Sequence, residues 1–396
     1  MSIITSRASR RGVLKGAAAA MAATAVPTGW AIAQTRPLKL GLMLPYSGTF
    51  AKLGENITFA VELLIAEKGG KLGGRDVQII KLDDESKPEN APQNADRLVK
   101  RDEVDVLIGT VHSGVQMGIH KVVKESGTLT IVPNAGNNAV TRDLCAKNVF
   151  RTSFSNWQPA HGMGLELGKR GIKKAAWVTW DYAAGAESAE GFKQGLEKHG
   201  GQLVEVLKLP FPQTNFQPLL AQIPGLGVEA VGAFFAGGGA VQFVKEYAAA
   251  GIKVPLCGSG FLTEGTLGAQ GAAADGIETA LHYGDGLTNA KDAVFRKAFQ
   301  DKAGREADVY AVQGYDAAQL LAIGLEAVKG KIDDEANLYK AMRSAKLDSP
   351  RGPISMSASQ NVVHNIYLRK VVGGQNKVMG VAAEQLADPG TGCKVS

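Results

Sequence analysis

The sequence is poor in the residues that build metal and redox centres, with three cysteines and six histidines in 396 residues. Cys145, Cys257 and Cys393 form no C-x-x-C pair and have no histidine pair beside them, so the spacing of a zinc or haem site is missing. Aromatic residues make up only 6% of the chain and no long run of like charge occurs, which argues against a nucleic-acid groove or a polybasic membrane patch. We therefore expect no metal, no cofactor and no nucleic-acid partner.

The most informative segment is the N-terminus, where residues 9–15 read SRRGVLK and an alanine-rich apolar stretch follows. A paired arginine before a short apolar segment with a small-x-small end is the pattern of a twin-arginine export signal. It predicts that residues 1–33 are a leader, cut between Ala33 and Gln34. The alternative is an amphipathic helix that stays attached, which Pro27 disfavours because it breaks the helix near the cut. No later run reaches the ~18 apolar residues of a membrane span, so we expect a soluble periplasmic protein.

Most of the formal charge of +6 belongs to this leader, since its removal takes away four basic residues and no acid. The mature chain of 363 residues carries 40 basic and 38 acidic residues, which leaves a net charge of only +2. A chain of this length exceeds what one hydrophobic core usually holds. We therefore expect two lobes.

The three cysteines allow one disulfide in an oxidising compartment. Cys257 ends the apolar run VPLC, which is typical of a strand in which a free cysteine packs as a small buried hydrophobe. Cys145 and Cys393 lie in polar segments. We therefore predict a disulfide between Cys145 and Cys393.

Apolar runs of strand length alternate with segments of helical periodicity, the pattern of an α/β fold with parallel sheets. Strands are predicted at 38–44, 76–82, 104–108, 128–132, 175–179, 202–207, 230–235 and 254–257, with an extended segment at 362–372. Because the cycle restarts near residue 152, we expect two doubly wound lobes joined by a multi-crossing hinge. The N-terminal lobe comprises residues 34–152 and 284–350, and the C-terminal lobe residues 153–283 and 351–396. Ligands of such folds bind between the lobes, at the carboxyl ends of the strands.

Polar groups follow two neighbouring strands of the first lobe. Ser113 begins a helix after the strand at 104–108, and Gln116 stands three residues on, the spacing of a capping box. The strand at 128–132 ends in PNAGNN, a loop that leaves backbone N–H groups free. A hydroxyl and free amides at a helix N-terminus bind an anion without lysine or arginine. We therefore predict a carboxylate site here, although Ser113 as a cap for its own helix alone stays an alternative.

These features resemble the type I periplasmic substrate-binding proteins of ABC transporters, in the branch that includes the leucine/isoleucine/valine-binding proteins. The resemblance covers nearly all of residues 37–390, and it is carried by the order of the segments 40–48, 109–114, 131–141, 150–151, 181–185 and 314–317. It implies that Ser113 holds a ligand carboxylate and that Asn134 and Gly136 contact the ligand head group through backbone atoms. Further cleft positions implied by the resemblance are Leu53, Ala184, Phe235 and Gly260. We expect a monomer that delivers its ligand to an inner-membrane ABC permease.

Two departures from the amino-acid-binding relatives bear on the ligand. Where those relatives use an acidic residue for the α-ammonium, this chain has Gly260, and a tyrosine common after Asp181 is replaced by Ala184, which enlarges the cleft. Aromatic residues expected around the ligand are Trp180, Tyr182, Phe235, Phe261 and Tyr283. This resembles the aromatic-acid-binding relatives and predicts an aromatic carboxylate as the ligand. Glu264 is a candidate to replace the lost acid, which keeps a branched-chain or other hydrophobic amino acid as the alternative.

Other function classes find less support. The glycines at 237–239 lack the G-x-G-x-x-G spacing of a nucleotide loop, and GSG at 258–260 is not a nucleophile elbow. We therefore expect no catalytic residues and no enzyme activity. His112, beside Ser113, either hydrogen-bonds a distal hydroxyl of the ligand or points into its own lobe. A periplasmic sensor stays a further alternative, because a sensor uses the same closing cleft.

Overall fold

The computed structural model describes residues 36–395, so the predicted leader at 1–33 lies outside the described residues. The strands are β1 (Leu38–Leu44), β2 (Lys71–Leu72), β3 (Arg75–Asp83), β4 (Val106–Gly109), β5 (Leu129–Val132), β6 (Val149–Arg151), β7 (Lys174–Trp180), β8 (Gln202–Leu209), β9 (Ala230–Phe234), β10 (Leu256–Ser259), β11 (Glu278–Leu281), β12 (Lys346–Leu347), β13 (Ile354–Met356), β14 (Val362–Val372) and β15 (Gln375–Leu386). The α-helices are α1 (Ala51–Glu67), α2 (Ala91–Asp96), α3 (Ser113–Ser126), α4 (Trp157–Lys169), α5 (Ala183–Glu197), α6 (Gln217–Leu220), α7 (Gly237–Ala249), α8 (Leu267–Gln270), α9 (Ala290–Ala303), α10 (Val309–Ala327) and α11 (Glu335–Arg343).

The first lobe is built on a six-stranded sheet with the order β2-β3-β1-β4-β5-β6. All neighbours are parallel except β2, which forms a short antiparallel pair with β3. Strand β1 reads LKLGLML and is buried along nearly its whole length, as expected for a parallel strand that helices cover on both faces. Helix α10 packs against α1 and so adds residues from late in the chain to this lobe.

The second lobe has a larger sheet in which β8, β7, β9, β10 and β11 are neighbours in that order and parallel. Strand β14 joins the edge antiparallel to β11, and β15 pairs with β14. The sequence patterns predict β14 but neither β11 nor β15. Two lobes of parallel sheet with covering helices confirm the predicted α/β class.

The chain passes between the lobes after β6, between β11 and α9, and between α11 and β14. Buried Arg351 joins the first and third crossings, because its guanidinium donates to the carbonyl oxygen of Ser153 at 3.0 Å; it also pairs with Asp316 of α10 at 3.0 Å. Within residues 36–395, no helix is both long and apolar enough to cross a membrane.

Cys145 and Cys393 are joined by a disulfide, with their Cα atoms 5.5 Å apart and a sequence separation of 248. Cys257 is a buried free thiol on β10, and burial raises its pKa to about 12. A thiol in that environment is an inert packing group at neutral pH. The disulfide therefore ties the C-terminal segment to the loop that follows β5.

Candidate ligand-binding site

A cavity with an empty volume of about 310 Å³ lies between the two lobes. Its walls come from segments that follow β4 and β5 in the first sheet and β7, β9 and β10 in the second, so it lies at the carboxyl ends of both sets of strands. Open α/β sheets place ligands at this position. The wall residues are Phe50, Leu53, Val111, Ser113, Asn134, Gly136, Phe154, Asn156, Tyr182, Ala184, Phe234, Ala236, Phe261 and Tyr310.

One end of the cavity is polar and is formed by Ser113, Gly136 and Asn156, which we call the polar corner. The Asn156 side-chain amide donates to Ser113 Oγ at 3.3 Å and to Glu187 Oε2 at 2.7 Å, and its backbone N–H donates to the Gly136 carbonyl at 2.7 Å. Since Ser113 Oγ accepts this hydrogen bond, its own hydrogen is free to be donated to an anion. Asn156, which the sequence analysis did not identify, therefore positions Ser113.

Gly136 leaves the space that Asn156 occupies. A Cβ atom at position 136 would lie 2.2 Å from Asn156 Oδ1 and 2.7 Å from Phe154 Cε2, far inside van der Waals contact. The loop after β5 therefore needs glycine here for the polar corner to form.

Helix α3 is capped by His112 and not, as the capping-box spacing predicts, by Ser113. His112 Nδ1 accepts hydrogen bonds from the backbone N–H groups of Gly114 at 3.0 Å and Val115 at 3.4 Å. Burial lowers the pKa of His112 to about 4, which keeps the ring neutral and Nδ1 able to accept. Gln116 lies near the Thr110 hydroxyl, at 3.4 Å, instead of reaching back to the cap. Because the imidazole does the capping, the Ser113 hydroxyl is available to the cavity.

The rest of the wall is largely aromatic. Phe261 lies at its centre, with ring centroids 4.7 Å from Phe154, 6.1 Å from Tyr310 and 6.2 Å from Phe234. The Tyr182 ring follows at 6.3 Å from Phe234. A flat apolar ligand body would gain both burial and ring contacts from this surface. The sequence patterns indicate Tyr182 and Phe261 as wall residues, but not Phe154, Phe234 and Tyr310, nor Phe50, Val111 and Ala236.

Seven of the residues expected at the cleft from the sequence lie on the wall: Leu53, Ser113, Asn134, Gly136, Tyr182, Ala184 and Phe261. Phe235 does not, because successive residues at a strand end face opposite sides: Phe234 faces the cavity and Phe235 packs in the core, 4.5 Å from Phe243. Trp180 packs against Phe235 in that core, with centroids 5.1 Å apart, and the Tyr283 hydroxyl donates to Asp292. His112 is likewise behind the wall, where its imidazole serves the helix.

Gly260 also lies behind the wall, which corrects the role expected for it. Its carbonyl accepts from Arg369 Nη2 at 2.8 Å, and a Cβ at this position would meet Leu281 Cβ at 2.4 Å. A larger residue here would collide with the core before it reached the cavity. The residue at position 260 therefore does not bear on the charge of the ligand, whereas the wall itself does: it contains no aspartate or glutamate within the described residues.

Glu264, the candidate replacement for that acid, already has partners for both oxygens. Its Oε2 accepts from Arg369 at 2.5 Å and its Oε1 accepts from the backbone N–H of Val309 at 2.7 Å. Glu264 belongs to the second lobe and Val309 begins α10 of the first, so this contact joins the lobes. Glu187 makes a second such contact, because Glu187 of α5 accepts from the backbone N–H of Asn138 at 3.0 Å.

Two α/β lobes that enclose a cavity, with hydrogen bonds that cross from lobe to lobe, define a binding protein that closes around a small ligand. A family model described as periplasmic binding protein matches residues 37–376, and the chain belongs to this family. The resemblance inferred from the sequence is thereby confirmed. Family membership also makes the protein a periplasmic receptor by class.

Two solved structures and one curated relative illustrate the similarity. A solute-binding protein of an ABC transporter from R. palustris, in complex with benzoate, is 49% identical, with a TM-score of 0.88 over 90% of this chain and 99% of that chain. A second one, from Rhodopseudomonas palustris BisB5 in complex with 3,4-dihydroxy benzoic acid, is 31% identical, with a TM-score of 0.84 over 89% and 99%. The Leu/Ile/Val-binding protein homolog 6 of Brucella melitensis is 29% identical over 343 residues, which are 84% of this chain and 87% of the relative.

Proposed function

We propose that this protein is the solute-binding receptor of an ABC importer for an aromatic carboxylate of the benzoate type. The observation that carries the proposal is the composition of the cavity wall: a hydroxyl donor in a polar corner, aromatic rings along the body, and no acidic side chain within the described residues. The empty volume of about 310 Å³ is an upper bound on the space for a ligand, which favours a single-ring acid over a larger molecule.

The charge of the ligand head group decides between the ligand classes. A carboxylate in the polar corner receives a hydrogen bond from Ser113, whereas a buried ammonium group would find no carboxylate on the wall and would cost several kcal/mol. An aromatic ring gains free energy from burial against Phe154 and Phe261. The bound benzoate and 3,4-dihydroxy benzoic acid of the two similar solved structures support this ligand class.

The alternative ligand is a branched-chain or other hydrophobic amino acid, which the similarity to Leu/Ile/Val-binding proteins favours. Titration calorimetry on refolded, ligand-free protein separates the two, with benzoate, 4-hydroxybenzoate, leucine and phenylalanine as ligands. We expect an amine-free aromatic acid to bind more tightly than either amino acid. Tighter binding of leucine would contradict the proposal.

Transport would use closure of the lobes. The contacts of Glu187 with Asn138 and of Glu264 with Val309 join the two lobes beside the cavity, so they would form as the lobes close. The closed form would then be presented to an inner-membrane permease. Uptake of labelled benzoate by a strain that lacks this protein tests the role: lost uptake supports transport, whereas normal uptake with a lost transcriptional response to benzoate would favour the sensor.

We infer further that export uses the twin-arginine pathway, since residues 9–15 carry its signal. The intact mass of periplasmic protein should correspond to a chain that begins at Gln34. Arg10→Lys together with Arg11→Lys should hold the precursor in the cytoplasm. Exported protein that retains residues 1–33 would overturn the cleavage site, and export of the double variant would overturn the pathway.

A further inference from the structure

One wall residue of the cavity, Tyr310, has a polar atom that the protein leaves without a partner. Tyr310 is 1% exposed, and its hydroxyl forms no hydrogen bond with any group in residues 36–395. Among the fourteen wall residues it is the one with a fully buried, unpartnered side-chain oxygen or nitrogen in the described part of the chain. Such groups are uncommon in folded proteins, because a buried hydroxyl that loses its contact with water costs free energy until a hydrogen bond replaces it.

Two other buried tyrosines, Tyr283 and Tyr247, show how the fold satisfies a buried hydroxyl. The Tyr283 hydroxyl donates to Asp292 at 2.7 Å, and the Tyr247 hydroxyl donates to the Val254 carbonyl at 2.8 Å. Both of these tyrosines lie outside the cavity wall. Of the two tyrosines on the wall, Tyr182 and Tyr310, it is Tyr310 whose fully buried hydroxyl is left for a ligand to satisfy.

Tyr310 belongs to helix α10, and its hydroxyl makes no hydrogen bond to the three residues of the polar corner. Gly136 of the polar corner lies beside Phe154. The ring centroid of Phe154 is 4.7 Å from that of Phe261, which in turn is 6.1 Å from that of Tyr310. In this series of contacts the rings of Phe154 and Phe261 lie between the polar corner and Tyr310. With the carboxylate held at Ser113, we therefore expect the Tyr310 hydroxyl to meet the ring end of the ligand.

The Tyr310 hydroxyl stays protonated. Burial raises its pKa well above the usual value, and the carboxylates of Asp308 and Glu264 raise the pKa further. It can therefore donate one hydrogen bond and accept another. A hydroxyl on an aromatic ring can accept a hydrogen bond from Tyr310 or donate one to it, whereas an unsubstituted ring has no oxygen to do either.

We propose that Tyr310 is a specificity-determining residue whose hydroxyl hydrogen-bonds a ring-bound oxygen of the ligand, so that the preferred ligands are ring-hydroxylated benzoates. This inference rests on the proposed function and narrows it. A site that holds a buried hydroxyl for a ligand oxygen disfavours analogues that lack the oxygen, since the hydroxyl is then buried unpaired.

The test compares Tyr310→Phe with wild type by calorimetry, using benzoate, 3-hydroxybenzoate, 4-hydroxybenzoate and 4-methylbenzoate. We expect one hydroxylated acid to bind wild type roughly tenfold more tightly than benzoate, and Tyr310→Phe to abolish that preference without weakening benzoate binding. The methyl compound controls for size. Tyr247→Phe is the matched control, because it removes a tyrosine hydroxyl that is bonded outside the cavity and should leave the ligand preference unchanged.

The outcomes separate this inference from the function on which it rests. If Tyr310→Phe weakens all the benzoates equally, its hydroxyl binds the carboxylate and the inference is wrong; if it changes no affinity, the hydroxyl has no ligand role and the inference is equally wrong. If none of the acids binds wild type, the proposed function itself fails. The thermal midpoint of ligand-free Tyr310→Phe should equal or exceed that of wild type, because no protein hydrogen bond is lost, and a large fall would indicate a structural role instead.

Discussion

Replacing Ser113 with alanine should weaken binding of every carboxylate ligand. In the polar corner the Ser113 hydroxyl accepts from Asn156 at 3.3 Å and has its hydrogen free for the ligand. One charge-assisted hydrogen bond to a desolvated anion contributes about 1.5–3 kcal/mol. Since about 1.4 kcal/mol is tenfold in affinity, the Kd of an aromatic acid should rise roughly 10- to 150-fold.

The same substitution should hardly change the stability of the ligand-free protein. The cap of α3 is the imidazole of His112, so Ser113→Ala removes no capping bond. Its one loss is the contact with Asn156, which is long for a hydrogen bond and contributes about 0.5 kcal/mol. His112→Ala, by contrast, should lower the free energy of unfolding by about 1 kcal/mol, because the cap is lost.

Calorimetry measures the affinity and urea denaturation measures the free energy of unfolding. Ser126→Ala is the matched control, since Ser126 ends the same helix and its hydroxyl bonds the Val123 carbonyl, away from the cavity. An unchanged affinity for Ser113→Ala, together with a loss of 1 kcal/mol or more in stability, would refute the role of this serine in carboxylate binding.

Three further predictions follow from the same contacts. Gly136→Ala should reduce affinity more than tenfold in calorimetry, because its Cβ displaces Asn156; Gly225→Ala, where a Cβ meets nothing within 4 Å, should not. Asp84→Asn should raise the free energy of unfolding by up to about 4 kcal/mol at pH 8, since burial raises the Asp84 pKa to about 7. This gain should shrink as the pH falls from about 7 to about 4 and vanish below the unfolded pKa of about 3.9, where the carboxyl is protonated in both states; a pH-independent gain would contradict the prediction. Reduction of the disulfide, which closes a loop of 248 residues, should lower the free energy of unfolding by about 5 kcal/mol, and an unchanged urea midpoint would disprove this.

Local patterns allowed much of the fold to be predicted. The strand β1, with its leucine-rich run, and β4 and β5, with their short apolar runs, were recognisable because parallel strands buried on both faces are apolar throughout. Strand β11 was missed because its sequence ETAL is too short and mixed to show an apolar run. Strand β15 was missed because seven of its first nine residues are exposed or half-buried at the sheet edge, so its apolar and polar residues do not alternate clearly.

The candidate site was predictable where it depends on strand ends. Ser113, Asn134 and Gly136 follow β4 and β5 directly, so neighbouring parallel strands bring them together. Asn156 and Tyr310 were not predictable, because they come from a lobe crossing and from a helix that lies far along the chain. The contact between Asn156 and Ser113 spans 43 residues, and no periodicity in either segment reports it.

The sequence by itself determined what depends on neighbours along the chain: the order of strands and helices, the loops at their ends and the choice of Cys145 and Cys393 as the polar cysteines. Tertiary structure decided which side chains face the ligand. Phe234 and Phe235 are chemically identical neighbours, yet one lines the cavity and the other fills the core, because only the packed sheet defines two faces. The folded protein likewise decides how polar side chains are used. The His112 imidazole caps its helix, and the Tyr310 hydroxyl is left unpaired, because the segments around each side chain come together only in the folded protein.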